Sequence, residues 1–339
     1  MSLSVLFDDR LSVMSSELLK AEAWRRLVNG ASPHELGLEI KDGRFDLSGL
    51  ILSEPTVVKQ WQTPLANITQ IEPPAEFRRV KWQNLDLSNS KLVSLRFEES
   101  QIINCRFDGC DMRDLRLWAT DIADSSFRGA DLSDSGLGLA TLKKSAIRGR
   151  RNTFTEVDFS EANLRGTVYL AAAFERCLFC NTKLENVNFG TSTFVNCHFQ
   201  GELREVIFWR SDLFSRQFPE DAFPPNEMQD IDFSRAKLRW VEFRGLSLKQ
   251  VHFPVDPDHV IIQNGPTVLD KLIDTLKKQG DKTARILVAA FEVERKWAAP
   301  GAFCILNKLD LAQAGEDAIS RVMELLEQFG AIEKPRVIH

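Results

Sequence analysis

Features that often disclose a protein's role are scarce in this chain of 339 residues. Its five histidines do not cluster, and its six cysteines form no regular disulfide framework, which favours a reducing compartment. No apolar run is long enough for a membrane span, and Met1–Arg10 lacks the basic and apolar parts of a secretory signal. We therefore expect a cytoplasmic protein that does not contact a membrane.

Catalytic and metal-binding signatures are also missing. The sequence contains neither a phosphate-binding loop nor a catalytic motif. Cys177 and Cys180 form an isolated CxxC, but a zinc site needs two further ligands, and the two side chains are expected to diverge. We expect no enzyme activity, no metal and no cofactor.

What the sequence does contain is a period of five. From position 77 onward every fifth residue is large and apolar, as in Phe77, Trp82, Leu87, Leu92 and Phe97, and the series continues without a miss to Ile147. The same spacing resumes from Phe154 to Phe199 and again from Leu203 to Phe253. Internal repetition of this length determines the architecture.

A period of five fits neither a strand, which repeats every two residues, nor a helix, which repeats every 3.6. It fits a backbone that turns a corner every five residues and points the large residue inward. The residue two positions earlier is often small, as at Cys105, Cys110 and Ala130, and the remaining positions are mostly polar. These patterns predict a narrow apolar interior and a solvated exterior.

The repeat resembles that of the pentapeptide-repeat family. Ser125–Ser135 (SSFRGADLSDS) and Val157–Thr167 (VDFSEANLRGT) match the family's motif of a small residue, Asp or Asn, Leu or Phe, and two polar residues. The resemblance implies an all-β solenoid, a right-handed quadrilateral β-helix with four pentads per coil. The period changes to 3.6 outside it, so we expect α-helical flanks at both ends.

The chain is accordingly divided into three regions. Residues 1–74 are predicted to form a helical cap, from Ser15 or Ser16 to Gly30, followed by an irregular connection over 53–74. Residues 75–255 form the repeat. Residues 256–339 form an α-helical region that either caps the coil or mediates a homodimer, with Gly280 ending one helix and Asp281 starting the next.

The repeat is interrupted in three places. Two extra residues near 149–152 produce a basic bulge, the register slips near 200, and residues 216–230 lose the motif, which predicts an extruded loop. Apolar side chains also occupy a few outward positions. Such exceptions favour a protein interface, although a flanking helix or loop of the same chain could cover them equally well. The candidate interaction surface comprises Trp118, Trp209, Phe214, Trp240, Pro219, Glu220, Asp221, Phe223, Pro224, Pro225, Arg150 and Arg151.

The function that this pattern favours is a non-catalytic scaffold for protein–protein interaction. The resemblance implies an alternative, because some pentapeptide-repeat proteins mimic duplex DNA, bind a type II topoisomerase and protect it from inhibitors. Mimicry needs a strongly acidic surface, whereas residues 75–255 carry 25 basic and 25 acidic side chains. The same balance argues against direct binding of nucleic acid. The predicted partner is a protein.

Overall fold

The computed structural model describes residues 3–62, 67–138, 150–211 and 224–332. The chain forms two compact units, Met1–Thr182 and Lys183–His339. The division at 74 and 255 made from the sequence pattern remains a prediction.

The first unit contains one long helix, a 3-10 turn (Pro33–Glu35) and a series of short strands. The helix is α1 (Leu3–Val28), and the strands are β1 (Ile40–Lys41), β2 (Arg44–Asp46), β3 (Thr56–Gln62), β4 (Asn67–Glu72), β5 (Glu76–Arg78), β6 (Lys81–Gln83), β7 (Leu85–Asp86), β8 (Arg96–Glu98), β9 (Gln101–Ile103), β10 (Arg116–Trp118), β11 (Asp121–Ala123), β12 (Thr153–Thr155), β13 (Ala173–Glu175) and β14 (Leu178–Cys180).

Helix α1 begins earlier than the sequence analysis predicts, because neither Gly nor Pro interrupts residues 3–29. Its C-terminal turns pack on the start of the repeat. Trp24 contacts Phe77 and Trp82 edge to face, with ring centroids 5.7 and 6.0 Å apart. The helix therefore covers apolar rings that the first coil would otherwise expose.

The segment predicted to be an irregular connection contains an antiparallel hairpin instead, formed by β3 and β4. The prediction failed because the prolines at 55, 64, 73 and 74 stand before, between and after the two strands, and not within them. The residues preceding the hairpin already belong to the coil. Phe45 of β2 pairs in parallel with Leu85 of β7.

From β5 to β11, parallel pairing in the first unit repeats every 20 residues. Phe97 on β8 pairs with Phe77 on β5 and with Leu117 on β10. A second sheet runs in the order β6, β9, β11, β12, β13, and there Trp82 pairs with Ile102. In these two sheets, residues 20 positions apart in the sequence thus lie side by side on neighbouring strands.

The corners have a common backbone conformation. In the described pentads of the first unit, the second residue after the large one has a positive φ, as at Asn84 (56°), Asn89 (58°), Asn104 (51°) and Gly109 (65°). Asn, Asp and Gly tolerate the left-handed region better than other residues. This recurring left-handed residue explains why the chain of the first unit turns with a period of five.

The interior of the first unit consists of stacked side chains. Phe107, Phe127 and Phe159 are each at most 2% exposed, and their ring centroids follow at spacings of 4.8 and 5.5 Å. The prediction that the large residue of each pentad points inward is confirmed for the described residues of this stack.

The interruption near 150 is larger than predicted. With two extra residues, Phe154 would pair with Leu132. It pairs instead with Ile122, which is 32 residues away, whereas an uninterrupted coil gives 20. Twelve residues are therefore added to this coil. The prediction failed because Leu142 and Ile147, which lie outside the described residues, keep the five-residue spacing in the sequence.

Asn152 marks the return to the coil and is fully buried in an inward slot. Its Oδ1 accepts a hydrogen bond from the backbone N–H of Thr120 over 2.9 Å, and its Nδ2 donates to the carbonyls of Leu117 and Gly138. The amide thus satisfies backbone groups at the interruption that would otherwise be buried without partners.

The second unit combines further coils with a helical region. Its strands are β15 (Leu184–Glu185), β16 (Thr193–Val195), β17 (His198–Arg204), β18 (Ile207–Trp209), β19 (Ile231–Arg239), β20 (Glu242–Arg244), β21 (Val251–His252), β22 (His259–Ile262) and β23 (Cys304–Asn307), and its helices are α2 (Gly265–Gln279), α3 (Lys282–Trp297), α4 (Lys308–Leu311) and α5 (Ala318–Gln328).

The predicted slip near 200 is confirmed, because Leu184 pairs with Leu203, 19 residues away. The next coil is longer. Phe208 pairs with Phe243, 35 residues away, so fifteen residues are added.

This added length matches that of the predicted loop 216–230, but the loop's C-terminal boundary differs. Asn226 and Met228 are fully buried, and Gln229 bridges to Val195, so residues 226–230 belong to the coil. Asn226 fits the inward slot because its Oδ1 accepts hydrogen bonds from the backbone N–H groups of Phe194 and Met228, over 3.3 and 3.1 Å.

The sequence pattern predicts an α-helical C-terminal region. The structure differs, because β22 and β23 form an antiparallel pair there. The helix boundaries follow the sequence signals. Gly280 adopts a left-handed conformation at the end of α2, and the Asp281 carboxylate accepts the N–H of Ala284 over 2.9 Å at the start of α3. Leu269, Leu272, Leu287, Val322 and Leu326 form the centre of a separate apolar core.

Candidate functional site

The C-terminal region of the second unit completes the hydrogen bonding of a coil strand with side chains. The N–H of Leu238 on β19 donates to Nε2 of His259 over 3.0 Å, and Nδ2 of Asn307 donates to the Leu238 carbonyl over 3.0 Å. Because Nε2 accepts, the ring proton lies on Nδ1, which is 2.9 Å from the Asp256 carboxylate. Although burial opposes it, this hydrogen bond helps to lower the pKa of Asp256 from its ordinary value.

The two residues that follow Leu238 are held by Asp310. Its two carboxylate oxygens accept hydrogen bonds from Nε of Arg239 and the backbone N–H of Trp240, over 2.6 and 2.8 Å. Arg239 and Asp310 are both largely buried. This pair fixes the backbone of Trp240, whose φ is 52° and whose side chain is 42% exposed.

Trp240 lies at a cavity of about 450 Å³ within the second unit. Its lining is mainly apolar and comes from Leu238 and residues 240–243 of the coil, from one face of α3, and from β23 and the residues after it. Ile286 and Val293 of α3 also line it, and they are 41% and 50% exposed. The cavity therefore opens through an apolar rim.

Glu294 is one of three carboxylates in this mainly apolar lining. It follows Phe291 by three residues on α3 and thus lies on the helix face that carries the core side chains Leu287 and Phe291. Burial raises the pKa of the Glu294 carboxyl to about 7, the Glu242 carboxylate adds to the shift, and Arg244 opposes it. No hydrogen bond to this carboxyl is present among the described residues.

Trp209, predicted to form part of an interaction surface, is covered from within the second unit. Its ring lies 5.0 Å from that of Trp297 at the end of α3, and the guanidinium of Arg244 is 4.5 and 4.9 Å from the two ring centroids. The Trp209 indole N–H donates to Asn188 Oδ1 over 3.1 Å. The cation–π contacts fasten α3 to the coil and leave Trp209 half-buried.

Arg150 and Arg151 also make contacts within their own unit. Arg150 pairs with Glu99 over 2.8 Å, and Arg79 pairs with the same carboxylate. Arg151 is half-buried and donates to the Ala172 carbonyl over 2.7 Å, and burial lowers the pKa of its guanidinium to about 10. Both arginines hold the end of the twelve-residue insertion to the coil.

The remaining predicted surface residues are separated. Trp118 is half-buried and packs beside Ala119 in the first unit. Pro224 and Pro225 are exposed and lead directly into Asn226. Phe214, Pro219, Glu220, Asp221 and Phe223 lie outside the described residues.

Among the predicted surface residues that the structure describes, Trp240 lies at a formed cavity, and the candidate surface as a whole remains a prediction. The residues that build this site around it were missed by the sequence analysis, namely Glu294, Asp310, His259 and Asn307. A signal did exist for one of them: Glu294 interrupts the apolar stripe of α3 at helical spacing. The others act through tertiary contacts that no local pattern reveals.

Charges on the outer faces of the coils are paired between neighbouring coils. In the first unit Arg106 pairs with Asp86 over 3.2 Å, Arg128 with Asp158 over 3.0 Å, and Arg176 with Glu156 over 2.8 Å. Such exposed pairs add little stability, but each neutralises an acidic group on the surface.

Comparisons with known proteins find similarity to solved structures alone. No family model matches the chain, and no curated protein matches it. Among solved structures, HetL, a pentapeptide repeat protein involved in heterocyst differentiation regulation from Nostoc sp. strain PCC 7120, is 15% identical, with 53% of this chain and 85% of HetL covered and a TM-score of 0.21. The pentapeptide repeat protein Rfr23 from Cyanothece 51142 is 21% identical, with 36% and 82% covered and a TM-score of 0.14.

A third similar structure is QnrB1, described as a plasmid-mediated fluoroquinolone resistance protein. It is 13% identical, with 50% of this chain and 93% of QnrB1 covered and a TM-score of 0.15. HetL and Rfr23 are described as pentapeptide-repeat proteins. At this identity and TM-score the likeness concerns the repeat alone and transfers no partner to this chain.

Within the described ranges, no helix combines the length and apolar character needed to cross a bilayer. In the same part of the chain, His, Cys, Asp and Glu side chains nowhere gather in a group of three that could hold a metal ion.

Proposed function

We propose that this chain is a non-catalytic protein–protein interaction scaffold built on pentapeptide repeats. We also infer that each coil is a right-handed, four-sided turn of a β-helix. The 20-residue pairing offset and the recurring left-handed residue of the first unit support four corners per coil.

The observation that carries the proposal is the apolar rim in the second unit. Trp240, Ile286 and Val293 are each 41% to 50% exposed and line the same cavity. Exposed apolar groups that cluster in this way are typical of protein interfaces, and tryptophan is prominent among residues that dominate binding energy.

Several features support a role without catalysis. The thiols of Cys105 and Cys110 are buried, and burial raises the pKa of each to about 12, which makes both poor nucleophiles. The ionic groups of the outer coil faces pair with one another along the ladder, as Arg106 does with Asp86. Paired groups on flat faces leave little for acid–base chemistry.

The alternative, a DNA-mimicking binder of a type II topoisomerase, requires a face of uncompensated acidic groups. The ladder richest in aspartate interleaves both signs. It carries Asp111, Asp114, Asp131 and Asp134 together with Lys91, Arg113 and Arg165. This mixture supports the scaffold over the mimic, because a basic DNA-binding saddle recognises dense negative charge.

Immobilised protein tests the scaffold proposal in a pull-down from cells of the source organism. Trp240→Asn removes the central apolar group and tolerates the positive φ. Trp61→Asn is the matched control, because Trp61 is also 42% exposed but lies on the β3–β4 hairpin. We expect the partner to be retained by the wild type and by the Trp61 variant and lost by the Trp240 variant. Equal retention by all three would contradict the assigned surface.

A supercoiling assay separates the two functions. We expect that the protein at micromolar concentration neither inhibits DNA gyrase nor protects it from a fluoroquinolone. Clear protection would favour the alternative. Dimerisation through the C-terminal helices remains a prediction, which light scattering of the full chain would check.

A further inference from the structure

The cavity beneath the apolar rim has the dimensions of a small-molecule site. Its volume of about 450 Å³ falls in the range of ligand pockets, roughly 300 to 1,000 Å³. Ligand pockets are predominantly apolar and contain a few polar groups that orient the ligand. Here Leu287, Phe291 and Leu306 provide buried apolar walls.

The carboxylates that line the cavity differ in what they contact. Asp310 is engaged by Arg239 and the Trp240 N–H, and Glu242 accepts a hydrogen bond from Nε of Arg244 over 2.6 Å. Glu294 has no such partner among the described residues, although it is half-buried. An ionised carboxylate in apolar surroundings is costly unless a cation or hydrogen-bond donors compensate it.

We propose that this cavity binds a small amphipathic cation, with its ammonium group bonded to Glu294 and its apolar body between α3 and the coil. The described lining contains three carboxylates and neither Lys nor Arg, which disfavours an anionic ligand. A neutral apolar ligand would fill the volume but would leave Glu294 without a partner. An ammonium group supplies a charge-assisted hydrogen bond, and the Trp240 ring at the rim offers a further cation–π contact.

The titratable and charged groups around Glu294 come from several elements. Glu242 and Arg244 face it from β20, Cys304 from β23, and Asp310 lies in the same cavity on α4. The pKa of Glu294 is raised to about 7, so its negative charge increases as the pH rises through neutrality. An alkyl ammonium ion titrates near the lysine value of about 10, so it remains charged over that range. Binding of the cation is therefore expected to tighten from about pH 6 to about pH 8.

This inference goes beyond the scaffold function, because it needs no protein partner. Calorimetry with the full chain tests it, using 2-(1-naphthyl)ethylamine as the probe and 2-(1-naphthyl)ethanol as its neutral counterpart. At about pH 8 we expect the amine to bind at least about tenfold more tightly than the alcohol. Failure of both probes to bind, or equal affinity for them, would overturn the proposal.

Two variants on α3 sharpen the result. Glu294→Gln keeps the shape of the side chain and removes the charge, so it should abolish the preference for the amine. Glu292→Gln is the matched control, because Glu292 is exposed and pairs with Lys277 away from the cavity lining. It should leave the preference unchanged. A preference that persists in the Glu294 variant contradicts the proposal.

The pH dependence of the wild type provides a readout that needs no variant. The preference for the amine should fall severalfold between about pH 8 and about pH 6, as Glu294 takes up a proton. A preference that does not change over this range would contradict the assignment to Glu294. These measurements do not depend on the pull-down. Failure of the scaffold proposal can therefore be distinguished from failure of the cation site.

Discussion

The backbone N–H of Leu238 donates a hydrogen bond to Nε2 of His259 over 3.0 Å, so a side chain of the C-terminal region takes the place of a further coil strand. Asn307 does the same for the Leu238 carbonyl. Both polar groups of one coil residue are thus satisfied without a strand beyond it.

Replacing His259 tests the strength of this arrangement. His259→Leu leaves the Leu238 N–H buried without an acceptor, and the side chain of His259 is only 1% exposed. We expect the free energy of unfolding, measured with urea, to fall by about 1–3 kcal/mol. His198→Leu is the control, since His198 is 31% exposed and lies on an outer face, and a change within about 0.5 kcal/mol is expected. Equal losses of unfolding free energy in the two variants would show that the hydrogen bond from Leu238 to His259 adds no particular stability.

Asp46 in the first unit should give a pH-dependent contribution to stability. Hydrogen bonds from Lys41, Ser48 and Lys20 outweigh the opposing effect of burial and hold the pKa of the Asp46 carboxyl well below its usual value. A lowered pKa means that the contribution is fully present above the unfolded-state value of about 4 and is lost as the pH falls below it.

We therefore expect Asp46→Asn to lower the free energy of unfolding by about 1–3 kcal/mol at neutral pH. The difference from the wild type should shrink below about pH 4, as urea titrations at several pH values would detect. Asp42→Asn serves as the comparison, because the Asp42 side chain is 82% exposed. If the difference in unfolding free energy between Asp46→Asn and the wild type stays constant down to acid pH, ionisation of Asp46 does not contribute to stability as described.

The twelve-residue insertion gives a test of the coil register. Deleting residues 139–148 together with 150 and 151 restores the 20-residue offset between Ile122 and Phe154 and retains Gly149 as the corner residue. Gly suits that corner because it adopts a positive φ without steric cost. We expect the shortened chain to fold with the circular dichroism spectrum of the wild type.

A deletion that also removes Gly149 is the matched comparison, because it leaves the coil one residue short of its repeat. That variant should lose several kcal/mol of stability or fail to fold, since inward residues would be moved out of their slots. If both deletions behave alike, the register described for residues 122–154 is incorrect.

The inward positions of the repeat could be predicted from the sequence, because one residue in five must occupy the interior whatever the rest of the coil does. Phe107 and Phe127 lie where the spacing places them. The ends of α2 and α3 were also predictable, since Gly280 and Asp281 act through their immediate neighbours.

Other features depend on information that local spacing does not contain. Leu142 and Ile147 continue the period of five through a segment whose flanking residues pair across twelve additional positions, so the count alone misplaces the interruption. The candidate site depends on how α3 lies against the coil. Nothing near Glu294 in the sequence reveals that Glu242 and Trp240 line the same cavity.

The hydrogen bonds that His259 and Asn307 make to the backbone of Leu238 have a consequence for self-association. A row of unsatisfied backbone groups is a template on which another molecule can add a strand, and repeated addition produces fibres. At Leu238 both groups are already occupied by side chains of the same chain. Growth by strand addition is blocked at this position, so a protein built from stackable units can remain finite.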